Sequence, residues 1–160
     1  LFFPIIKIKR LFNLILQDSK IKRMVENKEL IISPFEIECL NSAGYDLRSS
    51  MDLLVYPKEQ KLISTLERIE LPPNIAGFLH LRSSLIREGL LAGLALVDPG
   101  FKGQLTISLF NASHNVIKIS QGEPFLQITF IQLQDKAEKP YSGKYQNSKG
   151  VTKSLRHIKS

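Results

Sequence analysis

The feature that most restricts the fold is a series of short apolar segments that end at proline, glycine or asparagine turns. Segments such as "FLHLR" and "QLTISLFNAS" alternate apolar and polar residues with the period of two that a half-buried β-strand requires. Turn residues follow several of them, at Pro57, at Pro72-Pro73 and at Gln121-Gly122. Regular short strands at this spacing predict a mainly β domain, built as a sandwich, a jelly roll or a distorted barrel.

Two stretches have helical features instead. In "LILQDSKIKRMVENKEL" a strand-like piece begins near Leu14, and Asp18 or Ser19 can cap a helix that runs to about Lys28. A second, shorter helical turn is predicted for residues 84–88, where a glycine follows and stops it. The sequence therefore predicts one or two short helices beside the strands.

Length and composition favour one compact domain. The chain has 160 residues, of which 43% are hydrophobic, enough for one core but too few for two. We expect residues 1–13 to be an extension, residues 14–160 to form a single domain, and residues 140–160 to be a mobile tail. Charged residues interrupt the opening "LFFPIIKIKRLFNLIL", and no small-residue cleavage site follows, so neither a signal peptide nor a membrane span is expected. The lone Cys39 excludes an internal disulfide and indicates a cytoplasmic protein.

The basic charge is concentrated near the ends of the chain. The formal net charge is +7 and the isoelectric point about 9.6, with "KIKR" twice near the start and a lysine-rich tail. No aromatic-rich stacking platform accompanies these charges, so a solvated surface is favoured over a nucleic-acid groove. The same charge would also suit a phosphorylated small molecule. No cluster of cysteine and histidine has the spacing of a structural zinc site.

Five polar segments between the strands are the candidates for chemistry: "AGYDL", "RSSL", "DPGFKGQLTISLFN", "GEPFLQ" and "GKYQNSKGVT". The second places Arg82, Ser83 and Ser84 at a strand-to-helix junction, where a guanidinium, two hydroxyls and free N–H groups can surround an anion. Taken singly, each segment also has a structural interpretation. Ser83 or Ser84 can be a helix cap, Asp98 a turn former, and Gln127 a hydrogen-bonding partner in the core.

In this order the five segments resemble those of the superfamily of trimeric dUTPases and dCTP deaminases, over roughly Leu14 to Arg156. The resemblance implies a mainly β, distorted jelly-roll or β-barrel subunit of the dUTPase-like, β-clip type. It also implies a homotrimer with three active sites at the subunit interfaces. Members of the superfamily bind a deoxyribonucleoside triphosphate, usually with Mg²⁺, and the expected partner is a small deoxyuridine nucleotide and not a nucleic acid or a membrane.

The resemblance also implies roles for individual residues. Asp98 corresponds to the aspartate that deprotonates the water attacking the α-phosphorus, and a carboxylate in a partly solvated turn can accept that proton. Phe101 corresponds to the aromatic residue that packs against the deoxyribose, and Asp46 to an acid that contacts the magnesium through water. The other implied substrate contacts are Arg82, Ser83, Ser84, Arg87 and Gln127 around the phosphates, the main chain of Gly93, Leu94, Ala95 and Val97 at the base, and Tyr141, Lys144, Tyr145 and Gln146 in a tail that closes over the nucleotide.

The two branches of the superfamily differ five residues after the last glycine of "DPGFKG". Deaminases of this kind carry a proton-shuttling glutamate there, whereas this chain has Ser108. A hydroxyl has no protonation change near neutral pH, so it cannot perform that acid–base step. The "RSSL-x-R" motif and the tail, however, resemble the deaminase branch and its bifunctional archaeal relatives, and Glu88 or Glu123 could lie near the site.

The sequence therefore favours a dUTP diphosphatase that forms dUMP and pyrophosphate. A dCTP deaminase, or a bifunctional enzyme with another proton shuttle, is one alternative. A basic β-domain that binds nucleic acid and has no catalytic activity is the other.

Overall fold

The computed structural model describes residues 14–157, which form ten β-strands, two α-helices and one 3-10 turn. The predicted extension over residues 1–13 lies outside the described residues. The helical elements are α1 (Asp18–Glu26), the 3-10 turn (Ile37–Cys39) and α2 (Ser83–Arg87). The strands are β1 (Ile31–Ser33), β2 (Leu40–Asn41), β3 (Gly44–Arg48), β4 (Leu53–Val55), β5 (Gln60–Glu70), β6 (Ile75–Leu81), β7 (Leu90–Gly93), β8 (Lys102–Asn111), β9 (Ile117–Ile119) and β10 (Pro124–Gln132).

The strands form two four-stranded sheets and one two-stranded ribbon, in which all pairings are antiparallel. The strand orders are β1-β5-β8-β7 and β2-β3-β10-β6, and β4 pairs with β9. Alternate residues of β8 and β10, such as Leu109 and Phe130, are fully buried in one common hydrophobic core. The mainly β architecture predicted from the alternating segments is therefore confirmed, with two short helices.

The ends of α1 differ from the prediction. Neither Asp18 nor Ser19 caps the helix, because Gln17 occupies the N-cap position with extended backbone and no side-chain cap bond. The Asp18 carboxylate instead accepts a hydrogen bond from the Ser19 N–H at 2.6 Å. The helix ends at Glu26, and Lys28 has a left-handed φ of 59°, which a continuing helix cannot contain. No helix in residues 14–157 combines the length and the apolar character needed to cross a bilayer.

Strand register sets the cross-strand neighbours of two polar residues, Ser108 and Gln127. On β8, Ser108 lies opposite Leu62 of β5 on one side and Gly93 of β7 on the other. On β10, Gln127 lies opposite Asp46 of β3 and His80 of β6. Because side chains of paired residues project to the same face of a sheet, the Gln127 row is polar, whereas the neighbours of Ser108 are an apolar residue and a glycine.

Candidate active site

The exposed side chain of Asp98 lies in a cleft beside the end of β7 and the beginning of β8. The part of the cleft that contains Asp98 has a volume of about 230 Å³, and a second part, which contains Ser108, has a volume of about 510 Å³. Among the described residues that line either part, Asp98 is the single carboxylate. The residues that line both parts are Gly93, Ala95, Phe101, Leu105, Thr106 and Tyr145.

The main chain before Asp98 has two different environments. Residues 94–96 are outside regular structure, and within residues 14–157 no hydrogen-bond partner contacts their N–H or C=O groups. Val97 is different, because its N–H donates to the Gly77 carbonyl at 2.8 Å and its carbonyl accepts from the Gly77 N–H at 2.9 Å. This pair anchors the loop to β6. The Val97 N–H is therefore already paired within the chain, whereas the N–H groups of Leu94 and Ala95 have no partner among the described residues.

An aromatic pair forms one wall of the cleft. Phe101 is 7% exposed, and its ring packs edge-on against Tyr141 at a centroid distance of 5.6 Å. Tyr141 also anchors the tail, since its N–H donates to the Pro99 carbonyl at 2.8 Å. The two rings give this side of the cleft an apolar lining.

The tail is docked along β8 of its own chain. Ser148 forms a parallel bridge with Gly103, and the Ser148 carbonyl accepts from the Gln104 N–H at 2.9 Å. The Gln104 side chain accepts from the Gly150 N–H at 2.7 Å. Gln146 was expected to contact the nucleotide. Its side-chain oxygen Oε1 instead accepts from the Lys102 N–H at 2.8 Å, and its side-chain Nε2 donates to the Gly100 carbonyl at 2.9 Å. In this structure Gln146 therefore holds the tail.

A second polar concavity, about 280 Å³ in volume, surrounds Asp46. Asp46 Oδ1 accepts from Asn41 Nδ2 at 2.8 Å, and Asp46 Oδ2 lies 3.5 Å from Arg82 Nε. Ser83 and Gln127 line the same concavity. Burial raises the pKa of Asp46, although the Arg82 guanidinium and the Asn41 amide both act to lower it. The concavity thus holds one partly desolvated acid, a guanidinium, a hydroxyl and two amides.

No described residue lines both this concavity and the Asp98 cleft. Arg82, Ser83 and Gln127, expected at the triphosphate, are thus brought together with Asp46, whereas Asp98 lies on a different surface of the same chain. Ser84 and Arg87 follow in α2 and line neither place. One chain alone does not assemble the complete site that the sequence predicts.

At the opposite end of the cleft from Asp98, Gln60 Nε2 donates a hydrogen bond to Ser108 Oγ at 2.7 Å. Neither of the two glutamates considered as replacements lines the cleft. The Glu123 carboxylate accepts a hydrogen bond from the Ser120 N–H at 2.9 Å, and Glu88 is the C-terminal capping residue of α2. The position where a deaminase glutamate is expected therefore holds only a hydroxyl and an amide.

A family model described as dCTP deaminase-like matches residues 49–133, slightly more than half of the chain. The chain belongs to this family. A dCTP deaminase from Thermococcus kodakarensis is 44% identical over 158 residues, covering 89% of this chain and 99% of the relative. A protein of Sulfolobus islandicus rod-shaped virus 1, named "Probable deoxyuridine 5'-triphosphate nucleotidohydrolase", is 38% identical and covers 87% of this chain and 97% of that protein.

The solved structure of the native EIAV dUTPase has the same fold as this dCTP deaminase-like chain. The two have a TM-score of 0.54 and 27% identity, and the match covers 71% of this chain and 92% of the other. The similarity confirms the dUTPase-like fold and the superfamily inferred from the five ordered segments. The named relatives are enzymes of deoxyribonucleotide metabolism that act on dCTP or dUTP.

Sequence reasoning missed several residues of the two surfaces. Asn41 holds Asp46, and Gln60 holds Ser108, although neither belongs to one of the five segments. Gln104 and Thr106 contact the tail from the outward face of β8. The alternation of β8 could have identified these two, because they share the strand face of Ser108. Of the tail residues expected at the nucleotide, Tyr141 and Tyr145 line the cleft, whereas Lys144 is exposed on the tail and does not.

Proposed function

We propose that this dCTP deaminase-like chain is a dUTP diphosphatase that hydrolyses dUTP to dUMP and pyrophosphate. Water attacks the α-phosphorus, its proton passes to the Asp98 carboxylate, and the bond to the bridging β-phosphate oxygen breaks, so that pyrophosphate leaves. The observation that carries the proposal is the composition of the cleft. Asp98 is its single carboxylate among the described lining residues, and Ser108 occupies the position of the deaminase glutamate.

A dCTP deaminase is the second candidate, because two relatives with that name are 42% and 44% identical to this chain. Deamination requires a group that moves protons while water adds to carbon 4 of cytosine. Ser108 and Gln60 do not change protonation near neutral pH. Among residues 14–157, no aspartate or glutamate lines their end of the cleft. These features support pyrophosphate release over ammonia release.

We further propose that the complete site forms between copies of the chain in a homotrimer. In that arrangement the Asp46, Arg82, Ser83 and Gln127 surface of one copy binds the triphosphate whose α-phosphorus lies at the Asp98 cleft of another. The separation of the two surfaces within one chain supports this arrangement. So does the large apolar side chain of Leu96, which lines the cleft and is 48% exposed.

Magnesium fits this donor set only as an ion that keeps much of its water. No three acidic, histidine or cysteine residues in the described part of the chain are grouped to hold a metal. Both Asp46 oxygens already face donors, Asn41 and Arg82, so Asp46 would hold the ion through water while the substrate phosphates supply direct ligands. When bound, the ion neutralises charge on the phosphate oxygens.

The test is to incubate the purified protein with Mg²⁺ and either dUTP or dCTP, and to measure pyrophosphate and ammonia separately. We expect pyrophosphate from dUTP and no ammonia from dCTP. Asp98→Asn should lower kcat by about 10²- to 10⁴-fold, the usual contribution of a general base. Asp135→Asn, the same change at an exposed acid outside the cleft, is the matched control. Ammonia from dCTP, or full activity of Asp98→Asn, would refute the assignment.

Coexpression of two inactive variants tests the shared site. Asp98→Asn removes the catalytic carboxylate of the cleft, and Arg82→Ala removes the guanidinium of the Asp46 surface. A mixed trimer regains a complete site wherever the intact cleft of one copy meets the intact Asp46 surface of another. Random assortment gives roughly a quarter of the wild-type activity if each site joins two chains in a cyclic trimer. No recovery in mixed trimers of confirmed mass would place the whole site within one chain.

A further inference from the structure

The hydrogen bond between Gln60 and Ser108 crosses from β5 to β8 at the end of the cleft remote from Asp98. Both residues line the 510 Å³ part of the cleft together with Phe101 and Tyr145. Gly93, which lies opposite Ser108 on β7, has no side chain to cover the hydroxyl. A β-carbon at Gly93 would lie 3.7 Å from the Ser108 β-carbon, so the two residues are direct neighbours on the face that borders the cleft.

The direction of this hydrogen bond fixes what the hydroxyl can offer to a ligand. Gln60 donates, so the Ser108 oxygen is the acceptor. A serine hydroxyl has one proton and two acceptor positions, and Gln60 occupies one acceptor position. Within residues 14–157 no acceptor takes the Ser108 proton, which leaves it for a group in the cleft.

A hydroxyl that donates distinguishes the two pyrimidine bases at carbon 4. Uracil carries a carbonyl oxygen there, which accepts a hydrogen bond, whereas cytosine carries an amino group, which donates. A cytosine amino group could donate only to the second acceptor position of Ser108, which would leave the Ser108 proton without a partner, and such an unpaired donor is costly to bury. The side-chain oxygen of Gln60, Oε1, has no donor among the described residues. It is therefore also a suitable acceptor for the N3–H of uracil, a proton that neutral cytosine lacks.

We propose that Gln60 sets the hydrogen-bond polarity of Ser108, and that the pair selects a uracil-type base over a cytosine-type base. This inference rests on the proposed function, because it assigns the base specificity of the same cleft. Gln60 is the specificity-determining residue that the five ordered segments do not contain. It acts through Ser108 and does not take part in the transfer of the phosphoryl group.

Reversing the polarity is the sharpest test. In Gln60→Glu the side chain keeps its shape but becomes a carboxylate that only accepts, so Ser108 must donate to it and present its lone pairs to the ligand. The measured quantity is the ratio of kcat/KM for dUTP to that for dCTP, from pyrophosphate release. The ratio cancels the general repulsion between an added carboxylate and a triphosphate. We expect the dUTP-to-dCTP ratio to fall about tenfold or more in Gln60→Glu, which is the effect of losing one hydrogen bond. The ratio should also fall in Ser108→Ala.

Gln134→Glu makes the same charge change at an exposed position outside the cleft and should keep the wild-type ratio. Inhibition by dUMP and by dCMP provides a binding measurement without turnover, and only dUMP binding should weaken in Ser108→Ala. If wild-type protein releases no pyrophosphate from dUTP, the proposed function fails. If wild-type protein is active but Gln60→Glu keeps its dUTP-to-dCTP ratio while its thermal midpoint is unchanged, the role of Gln60 is refuted and the proposed function stands.

Discussion

Gly103 links the fold of β8 to the docking of the tail, so its replacement should release the tail. Its φ is 148°, in a region that side chains rarely adopt. A β-carbon at Gly103 would lie 2.9 Å from the Ser148 nitrogen and 3.0 Å from the Ser148 oxygen. Both contacts are to tail backbone, which cannot rotate away, so in Gly103→Ala the tail segment itself has to move.

The size of the effect follows from the bonds that this movement breaks. The Gln104 N–H donates to the Ser148 carbonyl at 2.9 Å, the Asn147 N–H to the Lys102 carbonyl at 2.7 Å, and Ser148 Oγ to the Gln104 carbonyl at 2.7 Å. At about 1 kcal/mol net for each hydrogen bond, the three together contribute roughly 3 kcal/mol. Their loss lowers the equilibrium constant for tail docking by on the order of 100-fold. Because Tyr145 of the tail lines the cleft, turnover of dUTP should also fall.

The assay is limited trypsin digestion followed by mass spectrometry, since Lys144, Lys149 and Lys153 are exposed on the tail. Gly103→Ala should speed cleavage at these lysines and leave the β-sheet core protected. Gly122→Ala is the matched control, because Gly122 also has a positive φ, 79°, but a β-carbon there meets nothing within 4 Å. Both variants should lose about 1–3 kcal/mol of unfolding free energy from backbone strain. Equal tail cleavage in the two variants would refute the clash as the cause.

Two further predictions concern buried charge. Glu67 is fully buried, and its carboxylate accepts hydrogen bonds from the Arg48 N–H at 2.8 Å and from Arg48 Nε at 2.6 Å. Arg48→Met leaves this buried carboxylate without its cation and should lower the free energy of urea unfolding by about 3–5 kcal/mol. If the double variant Arg48→Met/Glu67→Leu is as unstable as Arg48→Met, the unpaired Glu67 charge is not the reason. Burial raises the pKa of Asp46 above its ordinary value of 3.8, so the folded protein binds that proton more tightly than the unfolded chain and loses stability as the pH rises through the folded pKa. Asp46→Asn should therefore raise the thermal midpoint at pH 7, with the gain disappearing in acid, while kcat/KM for dUTP falls about tenfold through loss of a charge-assisted contact; an unchanged midpoint across this pH range would contradict the assigned cost of burial.

Several features of the site are local in sequence and could be predicted from it. The Asp98-Pro99-Gly100 turn is one, because proline fixes one backbone angle and the glycine has a positive φ of 87°. The alternation of β8 is another, since it determines that Ser108 and Leu109 face opposite sides of the sheet. Turn chemistry and strand period act over a few residues, so the mainly β fold and the exposed acid follow from the sequence alone.

Other features depend on which strands pair and in which register. Gln60 contacts Ser108 across 48 positions of sequence because β5 and β8 are antiparallel neighbours in this exact alignment, and a shift of one residue would turn Ser108 to the other face. The docking of the tail on Gly103 and the separation of Arg82 from Asp98 arise in the same way. Register is decided by the summed packing of all the buried faces, a free energy that no local segment contains. The sequence by itself therefore determined the strands, the acid and the missing glutamate, whereas only the tertiary structure decided the partner of Ser108 and the placement of the phosphate-binding candidates on a second surface.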